Sequence, residues 1–300
     1  MINKLFIVIV TYNGIQWIDK CLTSCANHNV VVVDNNSNDN TINYIKSNFP
    51  SVVVLEQSKN LGFGKANNIG LNYALQQGAE YFLLLNQDAY LKKQTTSKLI
   101  VQFKENEDYG ILSPIHLSGQ ENKIDLQFQS YLVPSKCRSF HNDMFLNKQI
   151  KPIYEVSFVN AAIWMLSKQT LKKVGGFNPY FFHYAEDNDY VNRSKFLGLK
   201  LGVIPNCYAI HDRKQQFRKT SKMDITNYLK IKLMDPNQNK SINSMLILAL
   251  KKSLKELVRF NFKASKLYLD SVFTIITETK KIKAIKAEML NQNFPFLNYQ

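Results

Sequence analysis

The chain has 300 residues, 45% hydrophobic and 12% aromatic, which supports a sizeable packed core and excludes global disorder. Its formal net charge is +15, and from Arg213 to Glu288 there are 18 Lys and Arg against 6 Asp and Glu. That divides a nearly balanced body from a basic C-terminal region suited to an anionic surface, either membrane headgroups or nucleic acid.

The four cysteines, Cys21, Cys25, Cys137 and Cys207, form no CxxC pair. They read as packed thiols in a reducing compartment. No stretch reaches the roughly 18 uninterrupted apolar residues of a membrane span. Ile2 to Val10 is too short for a signal peptide and runs straight into Thr11-Tyr12-Asn13, so a cytoplasmic location is expected.

Leu5 to Val10 reads as a first strand, followed by a turn at Thr11-Tyr12-Asn13-Gly14 and a helix from Gln16 to Asn27. A second strand, Val30 to Val33, ends at Asp34. A polar loop follows, then a helix to about Asn48 closed by Pro50. Val52 to Leu55 is a third strand. Asn60-Leu61-Gly62-Phe63-Gly64 is a glycine loop before a helix from Lys65 to Gln77. Tyr81 to Leu85 is a continuous apolar run, read as a strand buried on both faces, which stops at Asn86-Gln87-Asp88. Four strands alternating with helices indicate a parallel sheet with right-handed crossovers. Its strand ends bring Thr11, Asp34 and Asp88 to one crevice.

Beyond this core, the pattern predicts a helix over Lys92–Glu105 and a strand over Gly110–His116. Loops and a hairpin are expected between Ser118 and Pro152, then an apolar run over Val156–Leu166. Ser167 is a plausible N-cap for a helix through Val174. Glu186-Asp187-Asn188-Asp189 opens a helix to about Leu197. Leu201–Ile204 and Tyr208–Ile210 read as short strands ending at His211-Asp212. Met245–Phe262, Ala264–Ile276 and Thr279–Leu290 read as helices with Lys and Arg on the polar side. The resulting division is residues 1–212 and a basic helical region at 213–300.

Several of these residues could carry chemistry. Asp34 could accept a hydrogen bond from a base or a ribose, or serve as a helix cap or Asx-turn residue. The glycine loop lacks the third glycine of a dinucleotide fingerprint and is not a phosphate loop. It reads as a tight turn, with Asn60, Asn67 and Asn68 suited to a ribose or sugar. Asp88 offers one oxygen ligand to a hard divalent cation, which takes few carboxylates and leaves the rest to phosphates and water. Glu186, Asp187 and Asp189 either complement a helix dipole or raise one another's pKa toward general-base use. His211 is structural unless it meets Asp88, where it would complete a site suited to Mn2+ as well as Mg2+.

Taken in order, Ile9-Val10-Thr11-Tyr12-Asn13, Val33-Asp34-Asn35-Asn36-Ser37, Asn60-Leu61-Gly62-Phe63-Gly64, Leu85-Asn86-Gln87-Asp88 and Glu186-Asp187-Asn188-Asp189 resemble glycosyltransferase family two, nearest its rhamnosyltransferase-like branch. The resemblance covers roughly residues 3 to 212. It implies a GT-A type α/β fold, in which a mostly parallel sheet flanked by helices binds a nucleotide sugar, with a C-terminal helical appendage. It further implies an inverting transfer from a UDP- or dTDP-linked sugar to a glycan or lipid-linked glycan acceptor, in cell-surface polysaccharide synthesis. By position, Thr11 and Asp34 would hold the base and ribose, Asn60 and Asn67 would lie near the ribose or donor sugar, and Asn13, Gly64, Asn86 and Gln87 would complete the donor-binding set. Asp88 and His211 would hold Mg2+ or Mn2+, and Asp187 would be the base with Glu186 as the alternative. One departure is Asn86, where the family's metal motif has a first carboxylate.

The basic region lies outside the resemblance. It reads either as a solvated helical face or as a contact with an anionic membrane, which would make the enzyme peripheral on the inner face of the cell membrane. A nucleic-acid binder is disfavoured, since no zinc-finger spacing or aromatic RNP-type motif accompanies the charge. A sugar nucleotidyltransferase would want a glycine-rich basic loop after the first strand, where Thr11-Tyr12-Asn13-Gly14 stands instead.

Overall fold

The computed structural model describes residues 4–216, 221–291 and 296–297. Residues 1–3, 217–220, 292–295 and 298–300, which fall within the two spans assigned above, lie outside the described residues. The N-terminal half alternates as the sequence pattern requires: β1 (Leu5–Thr11), α1 (Ile15–Ser24), β2 (Asn29–Asp34), α2 (Thr41–Asn48), β3 (Val53–Glu56), α3 (Phe63–Gln76) and β4 (Tyr81–Asn86). These four strands pair in parallel, β3-β2-β1-β4, with Val10 opposite both Val33 and Asn86.

Alternate residues of these strands point to opposite sides, and both sides are dry. Val8, Val31, Phe82 and Leu84 pack against Leu71 and Ala74 of α3. Ile7, Ile9, Val32 and Leu83 pack against Ile18, Cys21 and Leu22 of α1 and Ile45 of α2. A sheet covered on both faces accounts for the unbroken apolar runs. The polar residues at the strand ends are left to form a common rim.

The second half departs from the parallel pattern. It runs β5 (Ala89–Leu91), α4 (Thr95–Glu105), β6 (Tyr109–Ser118), α5 (Leu126–Gln129), α6 (Arg138–Phe145), β7 (Tyr154–Glu155), β8 (Ile163–Ser167), α7 (Lys168–Val174), α8 (Glu186–Phe196) and β9 (Lys200–His211). The sheet continues β4-β8-β6-β9-β5, with β7 pairing β9. β8 is antiparallel to β4 and β6, and β5 is antiparallel to β9. Where a hairpin was expected between Ser118 and Pro152, the described residues form the short helices α5 and α6, and the β-pairing there is a single bridge from Leu117 to Ile124. The two short strands expected after Leu201 are one strand. The register against β6 shifts between Pro114 and Ile115, beside Pro205, as expected where proline cannot donate to the ladder. The Ser167 cap is formed, its hydroxyl accepting from the Thr170 N–H at 3.1 Å.

Four helices follow: α9 (Lys222–Met234), α10 (Ile242–Val258), α11 (Phe262–Thr277) and α12 (Thr279–Leu290). The sequence pattern had not indicated α9, although a full capping box opens it at Ser221 and Asp224. Ile225, Leu229, Leu233, Ile275 and Ile282 form a third core, which also takes in Phe181 and Ala185 from the segment before α8. The helices therefore pack directly on the chain that leads into the acidic cluster.

Candidate active site

The parallel strands end at a cleft of about 410 Å³, lined by Asn35, Asn60, Asn86, Gln87, Asp88 and the Phe182–His183 segment among others. Each wall is fixed by hydrogen bonds at a strand end. At the end of β1, the buried Thr11 hydroxyl donates to Gln87 Oε1 at 2.7 Å, and the Tyr12 N–H donates to the same oxygen at 2.9 Å. Gln87 thus ties β4 to the first turn. Asn13 lies in the left-handed region and staples the neighbouring loop, donating its N–H to Ser37 Oγ and accepting from the Asn38 N–H.

At the end of β2, the buried Asp34 accepts from both the N–H and the hydroxyl of Ser37, which is the Asx-type turn. Its neighbour Asn35, not singled out in the sequence, organises the glycine loop. Its amide donates to Asn60 Oδ1 at 3.0 Å and its carbonyl oxygen accepts from the Leu61 N–H at 2.7 Å. Gly62 is the hinge of that loop. Its φ is +81°, and a Cβ there would stand 1.9 Å from the Phe182 carbonyl oxygen. A side chain is therefore excluded twice, by conformation and by contact. Gly64 packs beneath Glu186, and Asn67 is buried in α3 with its amide on the Phe63 carbonyl, so neither lines the cleft.

Asp88 sits between β4 and β5, and His211 ends β9. The antiparallel pairing of β5 with β9 sets Ala89 opposite His211, and the Asp212 N–H donates to the Asp88 carbonyl at 2.7 Å. This register brings His211 Nε2 to 3.4 Å from Asp88 Oδ1. Burial works to raise the Asp88 pKa, but the hydrogen bond and charge of His211, with Arg213 behind, overcome it and hold the carboxyl below its ordinary value. Asp88 is thus an anion in a largely dry corner.

The acidic cluster reaches this corner through the backbone. The Asn86 N–H donates to the Ala162 carbonyl at 2.9 Å, and the adjacent Ala161 N–H supports the Asp187 carboxylate. Burial raises the Asp187 pKa against the N–H groups of Asn188 and Ala161. Burial followed by the charge of Asp187 pushes Glu186 up to about 8, and Glu186 Oε2 has no hydrogen-bond partner among the described residues. Asp189 faces away into an ion pair with the buried Arg193 at 2.8 Å, so it belongs to the scaffold. Immediately before α8, Tyr184 and Ala185 take φ of 58° and 98°, two successive non-glycine residues in strained conformations.

Residues 6–175 match the sequence profile of Glycosyl transferase family 2. The chain belongs to glycosyl transferase family 2. Among curated relatives of this family 2 chain, dTDP-rhamnosyl transferase RfbF of Shigella flexneri is 26% identical over 216 residues, 70% of each chain. Rhamnosyltransferase WbbL of Escherichia coli is 25% identical over 255 residues, 78% of this chain and 96% of that protein. The structure of Staphylococcus aureus TarS 1–349 in complex with UDP-GlcNAc superposes with a TM-score of 0.60 at 15% identity, covering 99% of this chain and 89% of that one. The fold is thus GT-A, the protein is rhamnosyltransferase-like, and it is a nucleotide-sugar glycosyltransferase.

Asn35, Phe182 and His183 are among the cleft residues to which sequence reasoning gave no role, whereas Gly62 was read as part of a tight turn. The Asn-rich loop after β2 held a signal for the first, but Phe182 and His183 owe their position to contacts between distant segments.

Proposed function

We propose that this glycosyltransferase inverts the anomeric centre of its donor, with Asp187 as base and a divalent cation held by Asp88 and His211. The observation that supports the reading is the link between the two carboxylates: Asp88, which lines the cleft, is joined to Asp187 through Asn86, Ala162 and Ala161. Among the described residues no three His, Cys, Asp or Glu side chains cluster as a metal cage. One carboxylate and one imidazole still fit a cation that draws its remaining ligands from a diphosphate and water. When bound, Mg2+ or Mn2+ supplies Lewis-acid neutralisation of the leaving diphosphate.

The chain's own groups account for the remainder. Asn35 and Asn60 present amides to the ribose side of the cleft, with Thr11, Asn13 and Asp34 shaping the loops around the nucleoside. The acceptor hydroxyl attacks the anomeric carbon on the face opposite the diphosphate. The new carbon–oxygen bond forms as the bond to the diphosphate breaks, and Asp187 takes the hydroxyl proton. Its raised pKa suits proton capture, and protonated Glu186 beside it avoids a second charge. Donors linked to dTDP or UDP both suit the reading, and rhamnose is favoured by the activities of RfbF and WbbL. The acceptor is a glycan or lipid-linked glycan in polysaccharide synthesis, carried on a membrane that the enzyme visits from its cytoplasmic side.

Incubation with dTDP-rhamnose or a UDP-sugar, Mn2+ and a short acceptor tests this directly. Release of nucleoside diphosphate with an inverted anomeric coupling in the product is expected. A product of retained configuration would overturn the single displacement.

A further inference from the structure

The helices α10 and α11 carry much of their large apolar surface outward. Besides Met245 and Ile275, which join the third core, their buried residues are small: Ala249, Ser253, Ser265 and Ser271, with Ser253 hydrogen-bonded to Ser265 at 2.8 Å and Thr226 to Ser271 at 2.9 Å. Their outer faces carry the large apolar side chains. On α10, Ile247, Leu250, Leu254, Leu257 and Val258 recur at three- and four-residue steps, all exposed. On α11, Phe262, Leu269, Phe273 and Ile276, at steps of seven, four and three, are exposed in the same way. The two stripes meet at the interhelical turn, where Val258 is 72% exposed, Phe260 81% and Phe262 64%, with the two rings 6.5 Å apart.

A surface helix normally turns its apolar stripe to the core. Exposed apolar area of this extent marks a surface that another apolar phase covers. The edges of the stripes say which one. Lys251, Lys255, Lys263 and Lys266 flank them and are exposed, in a chain of net charge +15. A second copy would bring those lysines against their own kind. An anionic bilayer offers acyl chains to the stripes and headgroup phosphates to the lysines. No helix among the described residues is long and apolar enough to cross a membrane, so the hairpin lies on the surface.

We infer that the α10–α11 hairpin is a membrane-docking element, with Phe260 and Phe262 entering the acyl boundary of an anionic leaflet and the flanking lysines resting on its headgroups. This extends the reading of a membrane-borne acceptor given above, and its test is independent of the catalytic roles.

The full chain is floated with vesicles of phosphatidylcholine alone or of phosphatidylcholine and phosphatidylglycerol in equal parts. Recovery about tenfold higher with the anionic vesicles, falling as salt rises, is expected. The double variant Phe260→Ser, Phe262→Ser loses that binding while keeping its thermal stability and its turnover of a water-soluble acceptor. In Phe260→Trp, indole emission shifts to the blue on the anionic vesicles and is quenched by brominated acyl chains. Absence of flotation at low salt would overturn the inference, as would a double variant that floats like its parent. So would light scattering showing a dimer that the double variant dissociates. Loss of turnover on the soluble acceptor with flotation intact would strike the catalytic reading and leave the docking element standing.

Discussion

The side-chain amide of Asn227 on α9 donates to the carbonyl of Tyr184 at 2.7 Å, and also to that of His183 at 3.2 Å. Tyr184 is the first of the two strained residues that lead into Glu186 and Asp187. A helix outside the nucleotide-binding sheet thus anchors the loop that aims the proposed base. Phe181 and Ala185, set in the helical core, anchor the same loop from below.

Asn227→Ala removes those two donors from carbonyls already held in a costly conformation. A hydrogen bond of this kind contributes about 1 kcal/mol, so the ratio of aimed to released loop should fall about fivefold. The expected outcome is a kcat lowered by up to about that factor with the donor KM little changed. Steady-state kinetics with donor varied at saturating acceptor measure the split. A purely structural role would lower the melting temperature and leave kcat of the folded fraction intact.

Asp187→Asn keeps the shape of the site and removes the proton acceptor. Transfer should fall by about a hundredfold or more, the ordinary worth of a positioned general base. Donor-induced thermal stabilisation should persist, because the donor does not need that proton acceptor. Normal turnover by this variant would dismiss Asp187 from the role.

Glu186 predicts a stability profile. Its folded pKa, about 8, lies above the ordinary carboxyl value of 4.5. Across that window the folded chain holds a proton the unfolded chain has released. Its contribution is therefore full below about 4.5 and is lost as pH rises through about 8. Glu186→Gln should flatten the fall in melting temperature over this range and exceed the parent at the alkaline end. Thermal melts in a series of buffers would check this, and parallel curves would refute it.

Removal of divalent cations with EDTA should stop transfer, and added Mn2+ or Mg2+ should restore it. Asp88→Asn, which keeps the amide's size but deletes the charge, should raise the cation concentration needed for half-maximal rate. His211→Ala should do the same to a smaller degree, as a neutral ligand. Undiminished activity in a metal-free preparation would remove both residues from this function.

Gly62→Ala places a methyl group against the Phe182 carbonyl at a φ that disfavours any side chain. The combined strain should destabilise the fold by about 2–4 kcal/mol. Donor binding should weaken with it, because Asn60 and Phe182 both move. Paired denaturant melts and donor titrations provide the measurement.

The central strands of the nucleotide half were legible because they are buried on both faces, so Val30–Val33 and Tyr81–Leu85 are unbroken apolar runs in the sequence. The approach of His211 to Asp88 could only be posed as a condition, since it depends on an antiparallel register between residues more than a hundred positions apart. Asn227 was out of reach altogether. Nothing in Lys222–Met234 marks one amide as the partner of a distant turn, and the helix itself lacks a sharp apolar stripe because it is packed on several sides. Which way the stripes of α10 and α11 face was left open for the opposite reason. Periodicity reports that a helix has two faces, not which of them faces water.

The position of β9 has a consequence for biosynthesis. Among the described residues β5, complete at Leu91, pairs with no strand except β9, which ends at His211. A ribosome adding about 5–20 residues per second needs on the order of ten seconds to cover that interval. Throughout it, the nascent chain carries an open strand edge beside Asp88. The corner formed by Asp88 and His211 therefore closes late, after the nucleotide half can already have folded, and a chain stalled before β9 would be sticky as well as inactive.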